Sequence, residues 1–203
     1  MGRCPIIKVK QGKKIKYQYN NIHLYDSKEE IYVLWWLLEL QEKGFVTHFE
    51  PHPQIFELIP PEKYAYEKHM KTCKKIIRIA QLFDSHDYTP DFVVYFSATA
   101  YERGYTYKLN QENSSIRMHK NRGKICISSG CAWIEVKGAY SIYNNHREFS
   151  INQKLLWNNQ KIYVQKIEPL ALFKHTFYPE RYLWTDGLKK KRTIKKSSKI
   201  EGK

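Results

Sequence analysis

The segment IYVLWWLLELQEK, beginning at Ile31, constrains the fold more than any other feature of the chain. Between Ile31 and Leu38 a helix drawn through it is apolar almost all round. It therefore has to be packed on more than one side and belongs to a core. Its ends are marked. Ser27 can cap the helix, and Glu30 follows at the spacing of a capping box. Gly44 suits the turn that ends a helix. The 203 residues suffice for one compact domain around such a core, and two would be a squeeze. The apolar run is shorter than the roughly 20 residues that cross a bilayer. MGRCPIIKVK lacks the apolar stretch and small-residue cleavage site of a signal peptide. The expectation is a soluble cytoplasmic protein.

Strand-like segments surround this helix. IIKVKQGKKIKYQYNNIHLY alternates apolar and polar residues around QGKK and NN, which predicts a short hairpin or strand pair. After Gly44, HFEPHPQIFELI predicts a strand whose start is kept irregular by Pro51 and Pro53. Residues 60–84, through EKHMKTCKKIIRIAQLF, predict a partly helical stretch with its basic residues exposed. DFVVYF, following the turn-like DSHDYTP, suits a buried strand. Residues 97–130 are polar and without clear period, and read as a long insertion with extra strands in YTYKL and KICIS. CAWIEVKG predicts a strand ended by Gly138, SINQKLLWNNQ a helix capped by Ser150, and KIYVQKIEP a closing strand. Residues 1–187 thus form one expected domain, with an aromatic stretch from Leu170 onward. Residues 188–203 form a basic flexible tail.

The net charge of +15 is concentrated at the ends. Residues 1–20 carry six basic residues and no acid, and residues 188–203 carry +7, leaving +2 for the body between them. Cationic ends on a near-neutral body suggest a polyanionic partner, since each Lys or Arg set on a phosphate releases counterions. Nucleic acid is the first candidate. Lys189, Lys190, Lys191 and Arg192 of the tail, with Lys154 on the late helix, are the expected phosphate contacts. A solubility or localisation tag is the plainer reading of the tail. Its lack of a broad apolar face argues against a membrane surface. Cys4, Cys73, Cys126 and Cys131 form no CxxC pairs and are expected to be reduced thiols, not zinc ligands.

The candidate chemistry lies in three short stretches. In WIEVKG, period-two geometry puts Trp133, Glu135 and Lys137 on one face of a strand and Ile134 and Val136 on the other. Asp91 opens another strand directly after Pro90. If the two strands are neighbours, Asp91 and Glu135 can share a hard cation, which takes carboxylates and phosphate oxygens. Lys137 would then orient or help deprotonate the attacking water, or stabilise charge on phosphorus. An ExK alone is usually a solvated face, and Glu30 is explained equally well by capping. Order and context carry the reading.

The order YDSKEE, YTPDFVV, WIEVKG resembles the PD-(D/E)XK nuclease superfamily. The likeness is to phage-borne members that resolve Holliday junctions or act on related DNA, with IHLYDSKEE and FEPHPQIFEL matching their N-terminal half. It covers about Ile22 to Glu168. The resemblance implies an α/β fold with a restriction-endonuclease-like core: a central mixed β-sheet flanked by helices. It implies a Mg²⁺- or Mn²⁺-dependent endodeoxyribonuclease with Glu30, Asp91 and Glu135 as metal ligands and Lys137 beside them. Gln153, followed by Trp157, resembles the polar residue of the post-catalytic helix in some branches. DNA is the implied partner, branched or recombination intermediates the implied substrates, and a homodimer would pair two cuts. A phage-encoded member would act in the host-cell cytoplasm. The interval from Asp91 to Glu135 is longer than is usual in that superfamily.

Other arrangements are weaker. His48, His52, His69 and His86 offer nitrogen ligands, but no helix register unites them. His119, Asn121, Asn145 and His146 lack the partners of an HNH site. No Gly-rich phosphate loop or nucleophile elbow is present. The rival from another class is a catalytically inactive nucleic-acid-binding or virion-associated protein on the same fold. Its phosphate and stacking contacts would come from the basic ends and the tyrosines.

Overall fold

A computed structural model describes residues 6–11, 14–19, 23–69, 75–108, 124–128, 130–138 and 145–184. Strands β1 (Ile7–Gln11), β2 (Lys14–Tyr19) and β3 (His23–Tyr25) precede helix α1 (Lys28–Glu42). Then come β4 (Val46–Pro51), β5 (Phe56–Ile59), β6 (Glu62–His69), β7 (Lys75–Phe83), β8 (His86–Tyr88) and β9 (Phe92–Phe96). Next are α2 (Ala98–Glu102), β10 (Thr106–Lys108), β11 (Ile125–Ile127) and β12 (Ala132–Val136). The chain closes with α3 (Asn145–Gln160), β13 (Val164–Ile167), α4 (Pro169–His175) and α5 (Glu180–Tyr182).

The chain is mixed α/β. Its centre is a four-stranded sheet in the order β13-β12-β9-β4, antiparallel except for the parallel β12–β13 pair that α3 connects. Alternation along the strands divides the core. Phe92, Val94, Ala132, Ile134 and Val136 pack with α1, whereas Val93, Trp133 and Val164 pack with Phe149 and Leu156 of α3 and with Phe56 and Leu58. Helices therefore cover both faces, so all five residues of β12 are buried.

Helix α1 sits where its composition requires. Ile31, Val33, Leu34, Trp35, Trp36, Leu37 and Leu40 are all buried. The helix contacts β2, β3, β4, β12, α4 and α5. Tyr19 meets Trp35 edge-on at 5.8 Å, and Trp36 stacks on Phe177 at 6.2 Å. The Trp36 indole N–H donates to the Thr176 hydroxyl at 3.1 Å. No helix among the described residues is long and apolar enough to cross a membrane.

Four local expectations need correction. The N-terminal pair is a three-stranded sheet, because β3 adds to β2. HFEPHPQIFELI is two strands in two sheets, broken at His52, whose φ of 47° turns the chain. Residues 60–84 contain no helix among those described; β6 and β7 form an antiparallel hairpin instead. The spacing of Lys68, Lys71, Lys75 and Arg78 imitates a helical face, but the β-branched Ile76, Ile77 and Ile79 favour extended backbone. Ser150 does not cap α3, which begins upstream at Asn145. The expected extra strands in YTYKL and KICIS are β10 and β11, paired parallel.

Candidate functional site

Strand register builds the site. Pro51 pairs with Phe92 across β4 and β9, and Phe92 pairs with Ile134 across β9 and β12. One residue further along, the same registers set His52, Asp91 and Glu135 in a row, which the pairing of Glu135 with Lys166 extends to β13. Residues opposite one another on antiparallel strands bring their Cβ atoms to about 4.5–5.5 Å. Two hydrogen bonds hold the row at its middle. The His52 amide donates to the Asp91 carbonyl at 2.9 Å. The Val136 amide donates to Asp91 Oδ2 at 2.6 Å, joining residues 45 apart in sequence. The long interval before Glu135 is thus an excursion containing α2, β10 and β11 between adjacent strands.

Glu30 reaches the row from the first turn of α1. It both caps the helix and joins the cluster. Ser27 Oγ accepts the Glu30 amide at 3.2 Å and donates to Glu30 Oε1 at 2.7 Å, while the Asp26 amide donates to Oε2 at 3.0 Å. The same Oε2 lies 3.5 Å from His52 Nε2. Glu30, His52 and Asp91 each offer one ligand atom within 4.8 Å of the other two. Glu30 is only 3% exposed, so its carboxylate is largely withdrawn from water.

Glu135 stands beside this triad and outside it. Its Oε2 accepts the Tyr88 hydroxyl at 2.8 Å, and its Oε1 pairs with the Lys137 ammonium. Glu135 is buried and Lys137 half-buried. Burial, then Glu135 and Glu30, push the Asp91 carboxyl well above the usual carboxylate range, against the opposing Val136 amide and Lys137. Burial alone would depress the Lys137 ammonium, but Glu135, Asp91 and Glu30 outweigh it and raise the pKa. Burial and Glu135 raise the Tyr88 phenol, which therefore remains a donor. Burial and Glu30 push Tyr25 up to about 12.

The remaining expected residues lie elsewhere. Gln153 donates to the Val164 carbonyl and also bonds the Tyr163 side chain, fastening α3 to β13. Lys154 is exposed on α3. Lys189, Lys190, Lys191 and Arg192 lie outside the described residues, as do Cys4 and Cys73; Cys126 and Cys131 are buried free thiols. His52 joins the cluster through the register of β4 with β9, which helical spacing among the histidines does not reveal. The available signal was its place between Pro51 and Pro53, where a strand must break. Comparison with protein-family models, curated proteins and solved structures finds no match to this chain.

Proposed function

We propose that this chain is a divalent-metal-dependent endonuclease that hydrolyses phosphodiester bonds in DNA. The observation that carries the reading is the convergence of Glu30, His52 and Asp91 at the end of the sheet where Lys137 pairs with Glu135. The donor set fits a hard or borderline cation. Two carboxylates suit Mg²⁺ and Mn²⁺, and the imidazole nitrogen moves the balance toward Mn²⁺. The raised Asp91 pKa reports acids gathered in a poorly solvated place, a charge that a cation would offset. Glu30, His52 and Asp91 would hold the ion. When bound, it supplies a Lewis acid and an acidified water.

The protein side of the chemistry follows from the neighbours. Lys137 holds a positive charge where the scissile phosphate would lie, suited to charge developing on its oxygens. Glu135, kept in place by Tyr88 and Lys137, is positioned to take the proton of the attacking water. The order α1, β4, β9, β12, α3, β13 supports a restriction-endonuclease-like core. The cationic ends support DNA as substrate. Branched or recombination intermediates are the substrates this reading favours, with a homodimer pairing two cuts.

The test is cleavage of linear, nicked and four-way-junction DNA with Mg²⁺ or Mn²⁺. Wild type should cut, and Glu135→Gln and Lys137→Met should each lose about a hundredfold or more in rate. Absence of any cut by wild type, with tighter DNA binding by Glu135→Gln, would replace this reading with the non-catalytic binding protein.

A further inference from the structure

The chain between His52 and Asp91 leaves and rejoins the sheet at the site, where the His52 amide meets the Asp91 carbonyl at 2.9 Å. Strands β5 and β8 begin this excursion as an antiparallel pair, and Tyr88 of β8 is the residue that holds Glu135. Strands β6 and β7 continue it as a two-stranded arm. At about 3.4 Å per residue, β6 alone extends roughly 27 Å. Every residue of β6 is exposed, as is all of β7 except the half-buried Ala80. A two-stranded ribbon is marginal in water by itself, and large exposed side chains gathered on one mark a binding surface.

The two faces of the arm differ in chemistry. Register pairs Tyr64 with Ala80, Tyr66 with Arg78 and Lys68 with Ile76, so these side chains share one face. Tyr64 and Tyr66 lie side by side at 5.8 Å and are 48% and 38% exposed. Lys68 and Arg78 flank them, with no acid among these six residues. The other face carries Ile77 and Ile79, and its Lys75 is paired with Glu67 at 3.4 Å. The sequence joining the strands, MKTCK, adds Lys71 and Lys74.

We propose that this arm is a DNA-docking ribbon, laying Tyr64, Tyr66, Lys68 and Arg78 against duplex DNA beside the site. The inference rests on the nucleic-acid reading above and names the element that engages the substrate. A major groove about 12 Å wide admits a two-stranded ribbon. Tyr, Lys and Arg are also the side chains that donate to phosphate oxygens. Charge complementarity selects this occupant: Lys68 and Arg78 stand beside the two tyrosines, with the one acid of that face, Glu62, at the foot of the arm, whereas Lys75 of the isoleucine face is taken up in an ion pair with Glu67.

The experiment measures binding of the full chain to a short duplex by fluorescence anisotropy, in chelator, over a series of salt concentrations. Lys68→Gln with Arg78→Gln should reduce the slope of log K against log salt by about 2 and weaken binding roughly tenfold. Ile77→Ser with Ile79→Ser should leave both within about twofold. All four positions are exposed, so circular dichroism should confirm that the variants fold. An unchanged slope in the Lys68/Arg78 variant overturns the proposal. So does loss of binding in the isoleucine variant together with a change in mass by light scattering, which would make the arm a protein-docking surface. Wild-type cleavage with an unchanged slope removes the arm alone. A reduced slope without cleavage keeps the arm and removes the nuclease.

Discussion

At the scale of single residues, Glu30 serves two ends with one carboxylate, and the roles can be separated. Ser27→Ala removes the cap to the Glu30 amide and one donor to its carboxylate, but leaves that carboxylate in the cluster. It should cost about 1 kcal/mol of stability and leave a divalent-ion-induced rise in Tm. Glu30→Gln retains an oxygen for capping and removes the charge, so it should keep most of the stability and lose the ion-induced rise. Urea denaturation and thermal scans with and without Mn²⁺ distinguish them; an ion response that survives in Glu30→Gln removes this residue from the metal set. His52 shows a related tension. Its φ of 47° lies in the left-handed region, which costs a non-glycine residue about 1–2 kcal/mol. The bond from its amide to Asp91 holds it there. Strain at a cluster of ligand atoms is where a functional demand is expected to override local preference.

At the scale of elements, boundaries are made by backbone chemistry that propensity alone does not supply. Helix α1 ends in a Schellman turn: the Phe45 amide donates to the Leu40 carbonyl at 2.9 Å and the Gly44 amide to Gln41 at 3.0 Å. The turn requires Gly44 at φ 74°, with open space where a Cβ would stand. Gly44→Ala therefore meets no clash and should cost only the conformational term, about 1 kcal/mol. A lowered urea midpoint with an unchanged m-value is the expected signature. A loss several times larger would mean that this turn also orients β4, the strand that delivers His52. The sheet repeats the lesson across strands: one register step displaces every side chain to the other face, so the alignment of His52, Asp91 and Glu135 depends on two strand pairings, β4 with β9 and β9 with β12, being correct together.

At the scale of the whole molecule, the gathered acids couple folding, protonation and metal binding. A group whose pKa is raised on folding contributes its stability in full below the unfolded-state value and loses it as pH rises through the folded value. Asp91 is such a group, raised by burial and by Glu135 and Glu30. Without metal, wild type should lose Tm relative to Asp91→Asn as pH rises from the ordinary aspartate value of about 4 through the raised value of the folded state. A divalent ion binds the deprotonated carboxylates, so added Mn²⁺ should close that gap for wild type and do little for the variant. Scanning fluorimetry of both proteins across this range decides it. A difference flat in pH, or one that Mn²⁺ leaves unchanged, contradicts the coupling.

The sequence by itself determined what depends on neighbours along the chain. The all-round apolar stretch from Ile31 placed a helix in the core, Ser27 and Gly44 marked its ends, and alternation in WIEVKG sent Ile134 and Val136 toward that helix. The mixed α/β class was legible for the same reason, since local periodicity sets element type. Only the tertiary structure decided which residues meet. It put His52 with Glu30 and Asp91, gave Glu135 to Tyr88 and Lys137, and turned a stretch with helix-like charge spacing into an exposed ribbon. Those outcomes rest on register between strands far apart in sequence, and on the exposure of β6 and β7, which no other element covers among the described residues. Neither is encoded in a local pattern.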